Sequence, residues 1–283
     1  MSFALTRNNY GKSRVRLVKV RRGEARHELT DVEIDIQLEG DFDAAFTEGD
    51  NSKVLPTDTM KNTVYALGKG HPVEPIEDFG VVLAEHFLKT SPHTRRARVA
   101  LTENVWSRID TQGAPHAHAF HRAGTERRTA VVTAAVGGDV AVESGIADLL
   151  VLKTTGSAFA GYPKDRYTTL KETTDRILAT VMVAHWRTAI RDEAPTKTWE
   201  AARKALLETF AEQHSLSVQH TIHALGAAVF EACPAIAEVR LSLPNKHCIL
   251  FDLSPFGLSN NNEVFVPVDE PHGLIEATMK RGG

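Results

Sequence analysis

Cys233 and Cys248 are the only cysteines among 283 residues. That excludes a disulfide framework and makes a reducing compartment, the cytoplasm, the expected setting. No apolar run approaches the roughly 20 residues a membrane helix needs. Met1 to Arg7 has no basic stretch followed by an apolar core, and the C-terminal residues lack a Ser-Lys-Leu peroxisomal address. Neither secretion nor peroxisomal import is therefore expected. An excess of one charge is missing as well. The formal net charge is -3 with acids and bases interspersed, so nucleic acid and anionic membrane surfaces are not expected partners. Low-complexity segments are absent. What is present is a 42% apolar composition, enough to fill one large domain or two of ordinary size.

The pattern along the chain is strands, helices, strands, and then the same again. Val32, Ile34, Ile36 and Leu38 alternate with Glu33, Asp35, Gln37 and Glu39, the period of a strand with one wet face. Arg14 to Val20 has a similar period, and Arg21 to Glu24 makes the turn. Thr57 or Asp58 is placed to cap a helix running to about Leu67 and ended by Gly68 or Gly70. Ile76, Phe79, Leu83 and Phe87 share one helical face, stopped at Ser91-Pro92. Val99 to Trp106 and Arg127 to Val136 read as strands. In the second half, Leu149 to Leu152 and Ile177 to Trp186 read as strands. Trp199, Ala202, Leu206 and Phe210 form a helix face capped by Thr198. Val218, Ile222, Leu225, Val229 and Cys233 form another, stopped by Pro234. Val239 to Leu243 and Ile249 to Phe251 close the pattern as two strands. The expected class is α+β, a duplicated unit with segregated helices. Val136 to Asp139 is the linker candidate, giving units 1–137 and 138–283.

Several residue types suggest chemistry. A threonine hydroxyl such as Thr57 is a poor base unless a neutral amine such as Lys12 takes its proton. Equally, Thr57 can be a helix cap and Lys12 a surface charge. Asp58 lies at the same helix start, where backbone N–H groups face outward. The Arg176 guanidinium fork matches adjacent acceptors on a flat anion, and the Gln219 amide offers both donors and an acceptor. Arg176 can instead pair with Asp175 or Glu172. Phe159, flanked by small residues, can lie flat on a heteroaromatic ring, with Leu170 a further apolar wall. Asn245 and His247 follow Pro244 at the break between two strands, with Lys246 pointing away by alternation. His116, His118 and His121 have a spacing that zinc can use. Neither a carboxylate nor a fourth donor accompanies them, so no metal site is assigned.

Five segments in order carry a resemblance: Tyr10-Gly11-Lys12, Thr57 to Thr63, Ser157-Ala158-Phe159, Thr173 to Leu178, and Leu243 to His247, with Val218-Gln219 before the last. The set resembles the urate oxidase (uricase) family of the tunnelling-fold superfamily, from Tyr10 to Thr278. The resemblance implies two tandem tunnelling-fold (T-fold) units, each an antiparallel sheet with a helix pair on one face, joined into an oligomeric barrel. It implies cofactor-free oxidation of urate by O2 and water to 5-hydroxyisourate and H2O2. Lys12, Thr57 and His247 would relay the proton. Thr57, Asp58, Phe159, Leu170, Arg176, Val218, Gln219 and Asn245 would hold the substrate. It also implies a homotetramer whose sites are shared between subunits. The rival readings are a zinc-dependent pterin-handling enzyme of the same fold and a non-catalytic purine-binding barrel protein.

Overall fold

Alternation in the first segment produces a long hairpin. β1 (Tyr10–Arg22) and β2 (His27–Gly40) pair antiparallel from Tyr10↔Leu38 to Arg22↔His27. Val32, Ile34, Ile36 and Leu38 are fully buried on one face of β2. The computed structural model describes residues 3–122 and 124–282. Chain contacts divide it into two compact units, Met1–Gly145 and Ile146–Gly283.

After the hairpin the first unit holds α1 (Asp43–Thr47), α2 (Thr57–Gly70), α3 (Ile76–Thr90), β3 (Thr94–Asn104), β4 (Ser107–Thr111), β5 (Ala114–His121) and β6 (Arg127–Ala135). β7 (Ala141–Lys153) begins in this unit and ends in the next. The strand order is β1-β2-β3-β6, all antiparallel, while β4 and β5 form a separate two-stranded sheet. Ile76, Phe79, Leu83 and Phe87 are buried as their spacing predicts, and they lay α3 on β3 and β6. Gly80 permits that approach. A Cβ there would lie 2.7 Å from the side chains of Leu101 and Val132.

The second unit continues with β8 (Leu178–Thr188), α4 (Pro195–Glu212), α5 (Val218–Ala232), β9 (Ile236–Leu250), a short 3-10 turn at Ser254–Phe256, and β10 (Phe265–Lys280). Its order is β8-β9-β10, again antiparallel. α5 lies on β9 and β10, and Gly226 plays the part of Gly80. A Cβ there would meet the Met279 side chain at 1.9 Å. Strands, a helix pair and strands thus occur in both units, which is the α+β class read from the sequence.

Several local expectations are corrected. Neither Thr57 nor Asp58 caps α2: Pro56 holds the cap position and no side chain bonds the free N–H groups. α4 opens at Pro195 rather than after Thr198, because proline suits a first turn whose N–H has no partner. Val136 to Asp139 is the hairpin turn between β6 and β7, with Gly137 at φ 70. Asn245 and His247 do not mark a break. β9 runs unbroken through them and stops at Leu250. β10, the β4–β5 pair and α1 have no counterpart in the sequence reading.

Candidate functional site

The expected site residues fall into two groups, one in each unit. In the first, Tyr10 is the anchor. Its hydroxyl accepts the Leu55 N–H at 2.8 Å, and its ring stands edge-on to buried Phe42 at 4.8 Å. Burial pushes the Tyr10 phenol above its ordinary pKa. The bond ties the segment that enters α2 to β1, and so fixes Thr57 relative to Lys12. Gly11 lets β1 press on β2: a Cβ there would stand 1.7 Å from the Ile36 carbonyl oxygen. Directly after Lys12 the register shifts, with Arg14 at φ 58 and its N–H bonded to Asp35 Oδ1 at 2.7 Å. Lys12 is therefore the last regularly paired residue before a bulge, a device that re-aims side chains.

Thr57, partly buried, is the first residue of α2. The N–H groups of an uncapped first turn point out of the helix and favour negative charge. The Asp58 carboxylate turns to Lys61 and accepts from Asn62 at 3.0 Å. Lys61 holds its pKa below the ordinary value, and Lys12 adds to the same effect. Asp58 is exposed, and its side chain leaves its own amide unobstructed by a cap.

In the second unit, Phe159 and Thr173 exchange two backbone bonds, at 2.8 and 3.0 Å. Ala158 N–H donates to Ser215 at 2.7 Å, and Ser215 N–H to Gly156 at 2.8 Å. Asp175 accepts from Thr155 Oγ1 and from Gly156 N–H, both at 2.8 Å; the Thr155 bond is the main reason its pKa is lowered. With Asp175 engaged there, and Glu172 paired with Lys164 at 2.9 Å, neither acid neutralises Arg176. The Arg176 guanidinium carbon lies 5.2 Å from the Phe159 ring centroid. Its buried Nε has no hydrogen-bond partner in the structure. Burial lowers the Arg176 pKa, as expected of a cation held in a partly dry place.

Ser217 caps α5 by accepting the His220 N–H at 3.1 Å. Buried Val218 and exposed Gln219 therefore open that helix with their N–H groups outward. Because Ser215 bonds Gly156 and Ala158, the start of α5 and the Phe159 segment are held together. Asn245 pairs with Thr180 of β8 and Gly273 of β10, and His247 with Val268. Between those β10 partners the register shifts, so the chain from Asp269 to His272 bulges opposite Lys246. Lys246 turns to Asp269 at 2.6 Å. Leu170 is 59% exposed.

The histidine run is regrouped. His116 and His118 rings meet at 4.5 Å, and His118 faces His27 at 5.8 Å. His121 sits at the far end of β5, opposite Ser107. Among the described residues, no three of His, Cys, Asp or Glu are arranged to hold a metal ion. Nor is any described helix long and apolar enough to cross a membrane. Sequence reasoning gave no role to Tyr10 as an anchor or to Tyr162, whose ring stacks on Phe159 at 4.8 Å. An aromatic three residues from Phe159 was the available signal.

A family model described as Uricase matches residues 8–133 and 142–276. The chain is 48% identical over 279 residues to the uricase of Arthrobacter globiformis, covering 99% of this chain and 90% of that protein. It is 42% identical over 277 residues to the uricase of Dictyostelium discoideum, covering 97% and 96%. The crystal structure of uricase from Arthrobacter globiformis matches with a TM-score of 0.94 at 47% identity, over 100% of this chain and 96% of that one. That of a uricase from Bacillus fastidious matches at 0.86 and 25% identity, over 98% and 94%.

Proposed function

The chain belongs to the uricase family, and from that premise we propose how its two groups of residues oxidise urate with O2. The observation that carries the reading is Arg176. It is a partly desolvated guanidinium beside an aromatic ring, with an unpartnered Nε and neither neighbouring acid paired to it. A flat anion edged with carbonyl oxygens supplies what that fork lacks. Phe159 takes the ring face, the Gln219 amide and Val218 N–H take the edge beside Arg176, and Leu170 closes the apolar side.

Lys12, Thr57 and His247 form the proton relay. Thr57 accepts a proton from urate and passes it on, leaving an electron-rich dianion. The outward N–H of Asp58 binds a ring nitrogen. The dianion gives an electron to O2 held beside Asn245, and the pair recombines. Peroxide then leaves and water adds, so that urate, O2 and H2O become 5-hydroxyisourate and H2O2. The site holds both reactants in place among fixed dipoles.

Lys12 and Thr57 belong to one subunit, and Phe159, Arg176, Gln219, Asn245 and His247 to its neighbour in a homotetramer. The test uses chelator-treated protein and follows urate absorbance and peroxide release. Thr57→Ala and Arg176→Ala, each assembled alone, should lose at least about 100-fold in rate. Subunits of the two variants reshuffled together should regain activity, because some interfaces then carry both native halves. A wild-type protein that leaves urate untouched overturns the function. An active wild type with dead mixed oligomers overturns only the shared site.

A further inference from the structure

Two side chains of the same unit meet the Phe159 ring: Tyr162 stacks on it with centroids 4.8 Å apart and planes 16° apart, and the Arg176 guanidinium carbon lies over it at 5.2 Å. The Tyr162 hydroxyl donates to the Leu170 carbonyl at 2.7 Å. Lys164 Nζ sits 5.6 Å from the Tyr162 ring centroid and pairs with Glu172 at 2.9 Å. Glu172 also accepts the Gly161 N–H at 3.4 Å. The two-way bond between Phe159 and Thr173 closes the base of this segment. Residues 160–172 therefore fold back on themselves with Tyr162 as the backing for Phe159.

We propose that Tyr162 is a positioning residue that fixes the Phe159 ring in the plane on which the purine stacks. The inference rests on the urate reading above. A phenylalanine ring turns about two bonds, and a ring held before binding spares the cost of ordering it afterwards. Near-parallel stacking at this separation is a favourable aromatic geometry. Because Arg176 packs against the same ring, Tyr162 also sets the seat of the guanidinium clamp. Its hydroxyl is committed to Leu170, so it serves neither as acid nor as base. Its effect falls on binding rather than on proton transfer.

The test compares Tyr162→Phe, Tyr162→His and Tyr162→Leu in the assembled enzyme. Steady-state urate oxidation gives KM and kcat, and an anaerobic titration gives the urate Kd without turnover. Tyr162→Leu should raise KM and Kd together by about three- to ten-fold while kcat and the pH profile hold. Tyr162→Phe keeps the ring and should stay within about two-fold of wild type, with Tyr162→His between the two. Should Tyr162→Leu fail to fold, the ordering of Phe and His still decides. Equal KM and Kd across the series, or a loss confined to kcat, overturns the role of Tyr162 while wild-type urate oxidation stands. A wild type that does not consume urate overturns both readings.

Discussion

Both units bury hydroxyls, but among the described residues only the first also buries charge. Asp31, Glu77 and Arg128 are each under 5% exposed in the first. Arg128 pairs with Glu77 at 2.7 Å, Ser144 donates to the same carboxylate at 2.8 Å, and Arg16 and Trp106 hold Asp31. In the second unit the buried polar residues are Ser157, Thr180, Ser215 and Thr221, and among the described residues no charged side chain is buried. The two units share element order, so the difference does not come from the fold plan. It comes from what each sheet face must hold. The candidate site residues divide at the same boundary: Lys12 and Thr57 lie in the unit that buries charge. Phe159, Arg176, Gln219, Asn245 and His247 lie in the unit whose described buried polar residues are all hydroxyls. In each unit a register shift in the terminal strand lies beside candidate site residues: directly after Lys12 in β1, and in β10 between the partners of His247 and Asn245.

The largest expected effect comes from removing half of the buried pair. Arg128→Met leaves Glu77 charged in a dry place, which costs about 3–5 kcal/mol. Replacing both, as Glu77→Leu with Arg128→Met, should recover most of that loss, since a buried pair often does little better than apolar side chains of similar volume. Chemical denaturation of the three variants checks this. A single variant as stable as wild type would remove the contrast between the units.

Next comes Glu103, across the pairing from Arg128. Burial pushes its carboxyl up to about 7, with Glu74, Glu77 and Asp31 adding to the rise and Arg128 opposing it. The folded state thus keeps a proton that the unfolded chain releases near the ordinary value of about 4.5. Between those two values the unfolded state binds fewer protons, so stability falls as pH rises. The effect is greatest below about 4.5 and is fully lost above about 7. Glu103→Gln should remove this part of the pH dependence, worth on the order of 1–3 kcal/mol between pH 5 and 8. Melting temperatures of both proteins across that range decide it. Parallel curves would mean that Glu103 does not titrate there.

The sequence made some of this contrast readable and hid the rest for physical reasons. The faces of β2 and α3 could be read because one side is dry and the other wet. β10 could not: Pro267, Pro271 and Gly273 interrupt it, and most of its residues are exposed, so neither alternation nor an apolar run marks it. β9 looked broken because Asn245, Lys246 and His247 put polar groups in mid-strand, where cross-strand pairing to β8 and β10 carries them. Thr57 and Asp58 look like caps by type, but Pro56 holds the cap position and Asp58 turns to Lys61 and Asn62. The candidate site residues were readable as ordered motifs. Their supports were not: Tyr10 reaches Leu55 and Asp175 reaches Thr155 across folds that spacing does not encode.

The smallest effect sharpens the other side of the comparison. Ser215 and Thr221 share a hydrogen bond at 2.7 Å with both residues fully buried, and Thr221 Oγ1 also donates to the Ser217 carbonyl at 3.1 Å. Thr221→Val keeps the shape and removes both bonds, leaving the Ser215 hydroxyl bonded to Ser217 O alone at 3.1 Å. The expected loss is about 1 kcal/mol, the net worth of neutral hydrogen bonds. No charge is involved, so the loss should be the same at pH 5 and pH 8, unlike that of Glu103. Its consequence for urate is local. Ser215 joins the segment leading to Phe159 with the cap of α5, and loosening it lets Phe159 and Gln219 drift apart. KM should therefore rise about two-fold while kcat holds. A pH-dependent stability loss would show that the second unit also depends on a buried charge. An unchanged KM would show that the Phe159 segment does not depend on this hydroxyl pair.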